Sequence, residues 1–479
     1  MTSQQDSDRT DAGPARHYDL LVLGTGSGNT IVDDRFDDWS VGIVERTEFG
    51  GTCLNRGCIP SKMFVVTADH ACDAAQGPRF GVHTRYDGVD WPAVRDRVFD
   101  RIDPQARGGR EYREGLVNVE VHAGTARFTG ERRLVVETEH GEVQVSADQV
   151  VIAVGGRPVV PDIEGLEEAA AAGLVHTSDT IMRIDALPHR LGVIGGGYVG
   201  SEFANIFASL GTEVVQVDGQ DLLLSTQDAD VARRFTEISG ERWDLRLGAE
   251  LERVELTDGG LRLHLGEQGT AEVDLLLLAV GRRPNSDLLD LEGTGIEVDD
   301  AGRVVVDEQQ RTTAEGVWAL GDISTHHPLK HVANHEARIV QHNLLHPEDL
   351  QTVDHRFVPQ AVFSVPQVAA VGLTEEQARE QGLDLAVFTQ HYADVAHGWA
   401  LEEDDSGHLV KVLADRATGR LVGAHLLGPQ ASVLVQPLIQ AMSFDQPVRG
   451  LARGQYWIHP ALSEVVENAL IGLEAALDA

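Results

Sequence analysis

The chain has 479 residues, 42% of them hydrophobic and 24% charged, a balance that supports sizeable cores and roughly three domains at about 150 residues each. Three cysteines exclude a disulfide scaffold, and the longest apolar runs, such as Leu275 to Val280, are too short to span a bilayer. Seventy-six acids against 39 bases leave a net charge of −37, which repels nucleic acid and anionic membranes.

The 39 bases include only three lysines (Lys62, Lys330 and Lys411), leaving 36 arginines. So acidic a surface reads as one adapted to high salt, where counterions screen self-repulsion. Residues 1–16 are polar and carry no apolar leader, so a disordered tail and a reducing, cytoplasmic location are expected.

Residues 18–23 (YDLLVL) predict a strand, followed at once by Gly24-Thr-Gly26-Ser-Gly28, a helix, and a second strand from Trp39 to Val44 ending on Glu45. Helices are expected over 61–77 and 91–115, and alternating strands over 117–152. The βαβ pattern then returns. LGVI leads into Gly195-Gly-Gly197-Tyr198-Val-Gly200, a helix through Leu210, the strand EVVQV and Asp218. The turns beginning at Gly155 and Gly281 both read Gly, one residue, Arg, Pro. Strands are expected over 303–323, ending in Ala-Leu-Gly321-Asp322. From about 356 come strands and then helices such as Thr374 to Glu380 and Leu434 to Phe444.

A glycine-rich turn after a strand lets a pyrophosphate reach the backbone at a helix N-terminus. Gly195, Gly197 and Gly200 fit the GxGxxG pattern fully. The first copy has Asn29 at the third glycine position, so helix–strand packing there should be more open. Glu45 and Asp218 lie 21 and 23 residues after the first glycine of each copy, where an acid accepts from ribose hydroxyls; at Asp218, in the second copy, this favours NADH over NADPH.

Between these units stands Gly50-Gly51-Thr52-Cys53-Leu-Asn-Arg-Gly-Cys58-Ile-Pro-Ser-Lys62. Thiols five positions apart can meet across a turn and form a redox-active disulfide, and a helix starting near Cys58 would favour the thiolate. Zinc is the other use of paired cysteines, but no second pair or nearby histidine completes four ligands, and no metal site is expected. Cys72 reads as a small buried hydrophobe. Lys62 could pair with a carboxylate, with Glu202 as the candidate. His459, five residues before Glu464, suggests an imidazole oriented by a carboxylate for acid–base work. No GxSxG supports a hydrolase.

Together these motifs resemble the class I pyridine nucleotide–disulfide oxidoreductases, the family of glutathione, mycothione and mercuric reductases and dihydrolipoyl dehydrogenase. The likeness runs over about residues 18–475. Several stretches look closest to mycothione reductases: Gly24 to Asn29, RVFDRIDP (97–104), KHVANHEARIVQHNLL (330–345) and RGQYWIHPALSEVVENAL (453–470). The resemblance implies an α/β fold with two Rossmann-like dinucleotide-binding domains and a C-terminal α+β dimerisation domain. The expected divisions are a tail over 1–16, an FAD domain over 17–158 and 285–355, a nicotinamide-nucleotide domain over 159–284, and a dimer interface over 356–479.

Carried over by motif, Gly24, Gly26, Gly28, Glu45, Gly51, Thr52 and Asp322 resemble FAD contacts. Gly195, Gly197, Gly200 and Asp218 resemble those to the nicotinamide nucleotide, with Tyr198 as the gate over its ring. Cys58 resembles the thiol that meets the flavin, and Cys53 the interchange thiol that attacks the substrate disulfide. His459, oriented by Glu464, resembles the base that reaches Cys53 from the partner subunit of a homodimer, and Lys62–Glu202 the pair beside the flavin. The implied activity is reduction of a small-molecule, mycothione-like disulfide by NADH or NADPH. Dihydrolipoyl dehydrogenase, or reduction of another small disulfide such as bis-γ-glutamylcystine, is the alternative. Gly219 and Ser225 stand where glutathione and mycothione reductases carry arginines for the NADPH phosphate, which favours NADH.

Overall fold

The structure is a computed structural model that describes residues 16–404 and 407–479. All but the last residue of the expected tail lies outside the described residues; Arg16 already belongs to the first strand. The described residues form two compact units by their internal contacts.

The first unit comprises residues 16–59, 99–157 and 282–354. Its centre is a parallel array in which Arg16–Leu23 pairs with Val41–Glu45 on one side and Gly141–Ile152 on the other. Val119–Gly130 extends the array next to Val41–Glu45, and Val317–Ala319 extends it next to Gly141–Ile152. Alternation along the first strand divides the cores. Leu20 and Val22 face the cluster holding Phe36, Val340 and Leu344, while Leu21 and Leu23 face that holding Leu134, Val136 and Ile323. The antiparallel turns through Arg133–Thr138 return the chain to the sheet.

Two expectations fail here. After the first glycine turn there is no α-helix, only the 3₁₀ turns Gly28–Thr30 and Asp34–Phe36. Carbonyls that a helix would bond internally are taken by side chains from elsewhere: Arg113 donates to Asn29 O and Val32 O, and Gln341 to Ile31 O. Asp33 then caps the second turn through Arg35 N. Likewise 303–323 is not a run of strands. Only Val317–Ala319 is one, and the rest makes isolated bridges such as Val306 with Thr312. Asp299 and Asp307 capture the backbone amides of Arg303 and Arg311, making turns where ladders were expected.

The second unit comprises residues 60–98, 158–281 and 355–479. Residues 175–278 of this unit hold a five-stranded parallel sheet in the order Asp244–Leu247, Glu213–Asp218, Arg190–Ile194, Leu275–Leu278, Val175–Thr177. A three-stranded antiparallel sheet over 253–273 packs Leu261, Leu263 and Val273 into the same core as Leu276 and Leu278. The C-terminal part is a five-stranded antiparallel sheet in the order Gln360–Val362, Gln367–Gly372, Arg420–Gly428, Leu409–Asp415, Leu385–His391. The helix Ser463–Asp478 buries Val465, Val466, Ala469, Leu470 and Leu473 in its core. Gly472 is required there, since a Cβ would stand 2.3 Å from the Phe388 ring.

No helix among the described residues is long and apolar enough to cross a membrane.

Candidate active site

In the first unit the glycines of the turn do three jobs. Gly24 adopts φ +97°, and a Cβ there would lie 2.4 Å from Ala153 O, so it makes the tight turn at the strand end. Gly28 presses on Ala153, where an added Cβ would come within 2.6 Å of the Ala153 Cβ. Gly28 thus supplies the close packing expected to be lost at Asn29. Gly26 faces open space, with nothing within 4 Å of its would-be Cβ. A side chain would fill that cradle, and without one a diphosphate can approach the backbone, so the residues present fit FAD.

Glu45, buried at the end of its strand, accepts from Thr25 N at 2.9 Å and Thr25 Oγ1 at 2.6 Å. Its other oxygen accepts from Thr47 N and Oγ1 at 2.9 and 3.1 Å. Asp322 lies in the 3₁₀ turn Gly321–Ile323, with Arg282 Nε 3.8 Å away. Burial pushes its carboxyl up, against the pull of Arg282.

Gly51 touches the same turn, its would-be Cβ 2.7 Å from Gly26 Cα. It opens the short helix Gly51–Arg56, which carries Thr52 and Cys53. Gly57 breaks the chain, and a new 19-residue helix begins at Cys58, so the expected N-terminal placement of Cys58 holds. A Cβ at Gly57 would lie 2.9 Å from Thr52 O, so only glycine lets the second helix fold back this closely. The buried amide of Asn55 pins the loop by donating to Phe49 O at 2.8 Å and Gly51 O at 3.0 Å.

In this arrangement the Cys53 and Cys58 side chains are hydrogen-bonded. That bond, with burial and the Cys58 charge, pushes the Cys53 thiol well up, while Lys330 pulls it down. Cys53 is half-buried and Cys58 exposed.

The second unit repeats the glycine logic. Gly195 has φ +120°, with Ala279 O 2.3 Å from its would-be Cβ; a Cβ on Gly200 would lie 2.1 Å from Gly195 O; and Gly197 faces open space. Asp218 accepts from Gly196 N and, at 2.7 Å, from Gln220 N, the counterpart of Glu45 and Thr25 N. Glu250 Oε1 lies 4.0 Å from where a Cβ on Gly219 would be. Tyr198, the first residue of the helix Tyr198–Ser209, is 41% exposed.

On that helix Glu202 is buried and pairs with Lys62 Nζ at 2.8 Å. His459 Nδ1 stands 2.7 Å from Glu464 Oε1, with the imidazole side chain 72% exposed. The other Glu464 oxygen accepts from Ala461 N at 3.2 Å. The His459 hydrogen bond holds the Glu464 carboxyl below the usual range. Tyr456 and Ile458 beside it are also exposed.

Cys72 is not the apolar residue expected. Its Sγ meets Ser209 Oγ at 3.2 Å and Arg242 Nη2 at 3.8 Å, because a half-buried guanidinium fills that position.

Sequence reasoning assigned no role to Ser27, Asn334, Phe363 or Arg113, and left Lys330 at a count. Lys330 Nζ donates to Ser27 Oγ at 2.8 Å, and Ser27 Oγ donates to Asn334 Oδ1 at 2.9 Å. Phe363 N donates to Glu202 Oε1 at 2.9 Å. The one signal for Lys330 was its rarity among arginines.

Residues 18–337 match the model for pyridine nucleotide-disulphide oxidoreductases, and 358–470 that of the same family's dimerisation domain. The chain is 50% identical over 464 residues to the mycothione reductase of Mycobacterium tuberculosis, covering 95% of this chain and 99% of that one. It is 33% identical to the dihydrolipoyl dehydrogenase of Haloferax volcanii, covering 94% of this chain and 96% of that one. The solved Cu(II) complex of the HOCl-induced flavoprotein disulfide reductase RclA from Escherichia coli superposes with a TM-score of 0.85 at 30% identity, covering 95% and 99% of the two chains. The chain belongs to the pyridine nucleotide–disulfide oxidoreductases and is a flavoprotein disulfide reductase that binds FAD and a nicotinamide nucleotide.

Proposed function

We propose that the chain, as a homodimer in the cytoplasm, reduces mycothione or a disulfide of that kind with electrons from NADH, through Cys53 and Cys58. The observation that carries this reading is the hydrogen-bonded contact of the two thiols, in a chain 50% identical to mycothione reductase. In this reading residues 17–158 and 285–355 hold FAD, 159–284 the nicotinamide nucleotide, and 356–479 the dimer interface.

Bound FAD supplies two-electron transfer between the nicotinamide nucleotide and the thiol pair. Gly26, Gly51 and Thr52 receive its diphosphate; Glu45 and Asp322 orient its hydroxyl groups. Gly24 and Gly28 hold that turn in shape. Gly195, Gly197 and Gly200 do the same for the nicotinamide nucleotide, Tyr198 covers its ring, and Lys62 with Glu202 orients the reacting end of the site. Asp218, with Glu250 beside Gly219, opposes a 2′-phosphate, which supports NADH over NADPH.

The Cys53 thiolate attacks one sulfur of the substrate, forming a mixed disulfide and releasing one thiolate. His459 of the partner subunit protonates that leaving group, an assignment supported by the exposure of this imidazole in the single chain. The Cys58 thiolate then attacks the Cys53 sulfur, which releases the second thiol and leaves a Cys53–Cys58 disulfide. Two electrons from NADH restore the dithiol, so one disulfide, one NADH and one proton give two thiols and NAD+.

The test is Cys53→Ser. The variant should let NADH bleach the bound flavin yet lose disulfide turnover; undiminished turnover overturns the mechanism. A second reading, oxidation of a dihydrolipoyl dithiol by NAD+, draws on Asp218. It predicts faster turnover of dihydrolipoamide with NAD+ than of any small disulfide with NADH.

A further inference from the structure

The chain uses lysine three times and arginine 36 times, and the structure sets one lysine apart. Lys62 is paired with Glu202 at 2.8 Å. Lys411 is buried against Asp228, Asp230 and Glu375 at 2.9, 2.7 and 2.8 Å. Lys330 has no carboxylate within 4.0 Å of its ammonium among the described residues. No ion pair therefore holds its charge directly.

That charge is nonetheless held in place. Lys330 opens the 16-residue helix Lys330–Leu345. Its ammonium donates to Ser27 at 2.8 Å, and Ser27 donates in turn to Asn334 at 2.9 Å, one helical turn beyond Lys330. Ser27 follows Gly26, and Gly26 touches Gly51, which opens the helix bearing Cys53 two residues on. A contiguous set of contacts thus brings a cation with no direct ion pair to the first turn of the cysteine helix. A lysine suits the place because its ammonium is compact and has three rotatable donors, of which Ser27 uses one.

We propose that Lys330 is a positioning residue for the disulfide-exchange step, easing formation of the Cys53 thiolate that attacks. The inference rests on Cys53 being the attacking thiol. It answers a difficulty in the site, because burial and the neighbouring Cys58 both disfavour charge on Cys53, and Lys330 is the side chain that opposes them. Two groups face Cys53: Cys58 from the following helix and Lys330 from Lys330–Leu345. Lys330 in turn acts on the part-buried Asp322, which Arg282 and Glu336 also influence. Replacing Lys330 with a neutral side chain leaves Cys53 with no favourable charge from its own unit among the described residues.

The experiment is alkylation of the NADH-reduced holoenzyme by iodoacetamide as a function of pH, with Cys53 and Cys58 read separately by mass spectrometry. In Lys330→Met the midpoint for Cys53 should rise by about one pH unit, in the range a neighbouring charge commands. Labelling at pH 7 should fall about tenfold, and disulfide turnover with it. Flavin reduction by NADH should be unchanged, and Lys330→Arg should recover most of the shift. Ser27→Ala, which frees the ammonium without removing it, should give an intermediate shift and keeps the test available if Lys330→Met folds poorly. A Cys53 profile that superimposes on wild type in Lys330→Met, or in Ser27→Ala where that variant stands in, overturns the proposal. Preferential labelling of Cys58 in the wild type overturns the assignment of Cys53 and this proposal with it.

Discussion

Glu202 holds Lys62 with one carboxylate oxygen, 2.8 Å from Nζ, and keeps its other oxygen on the backbone amide of Phe363. The Lys62 ammonium also sits 4.0 Å from the centre of the Phe363 ring. The lysine is therefore fixed by one carboxylate and one aromatic face that are themselves tied together. Glu202→Gln keeps the amide contact but removes the charge, weakening a charge-assisted bond by about 1.5 kcal/mol. Stopped-flow reduction by NADH should slow about tenfold in that variant, with the thermal midpoint nearly unchanged.

His459 and Glu464 predict a different phenotype. The imidazole is held through Nδ1, which leaves Nε2 for proton transfer. His459→Ala should lower disulfide turnover by about 10² to 10⁴, the usual contribution of general acid–base catalysis, while flavin reduction by NADH proceeds as in wild type. Glu464→Gln, which keeps a hydrogen bond but not the charge, should cost less. Steady-state turnover and single-turnover reduction measured side by side check both.

Coenzyme choice should follow the acids around Gly219. Titrated anaerobically, the enzyme should be reduced at lower concentrations of NADH than of NADPH. Asp218→Arg should reverse that order by removing the group that disfavours a 2′-phosphate and supplying one that binds it. Wild-type reduction by NADPH alone would leave the thiol chemistry intact and reverse the coenzyme assignment.

Lys411 contributes to acid stability. Its ammonium is 4% exposed, and Asp228 beneath it only 1%. Lys411→Met strands that carboxylate and should destabilise the chain by about 3–5 kcal/mol. Lys411 also holds the Asp230 and Glu375 carboxyls below their usual range, through its hydrogen bonds to them. Groups lowered in this way stabilise the fold fully above their unfolded values near pH 4 and lose that contribution as pH falls through the folded values. Wild-type stability should therefore decline below about pH 4, and the decline should be shallower in Lys411→Met, as read by chemical denaturation at stepped pH.

Much of the site was legible because its signals are local. The two glycine turns, the acids that follow them and the cysteine pair each lie within about two dozen residues, a span over which strand and helix periods can be counted. The helix after Gly28 was misread for the complementary reason. Ile31 to Phe36 looks helical until Arg113 and Gln341 arrive to bond its carbonyls, and neither is close in sequence. Cys72 was misread in the same way, since Arg242 lies 170 residues on.

By itself, then, the sequence determined the two nucleotide turns, the thiol pair, the His459–Glu464 spacing and the family, all of them features in which neighbours along the chain are neighbours in space. The Lys62–Glu202 pair was expected from the motifs; which groups the other two lysines meet was decided by tertiary structure alone. Lys411 meets Asp228 across 183 residues, and Lys330 reaches Ser27 across 303 without meeting a carboxylate among the described residues. A pair interaction of that range depends on where the fold brings the chain back, and on whether burial leaves the charge a partner, neither of which any local pattern records.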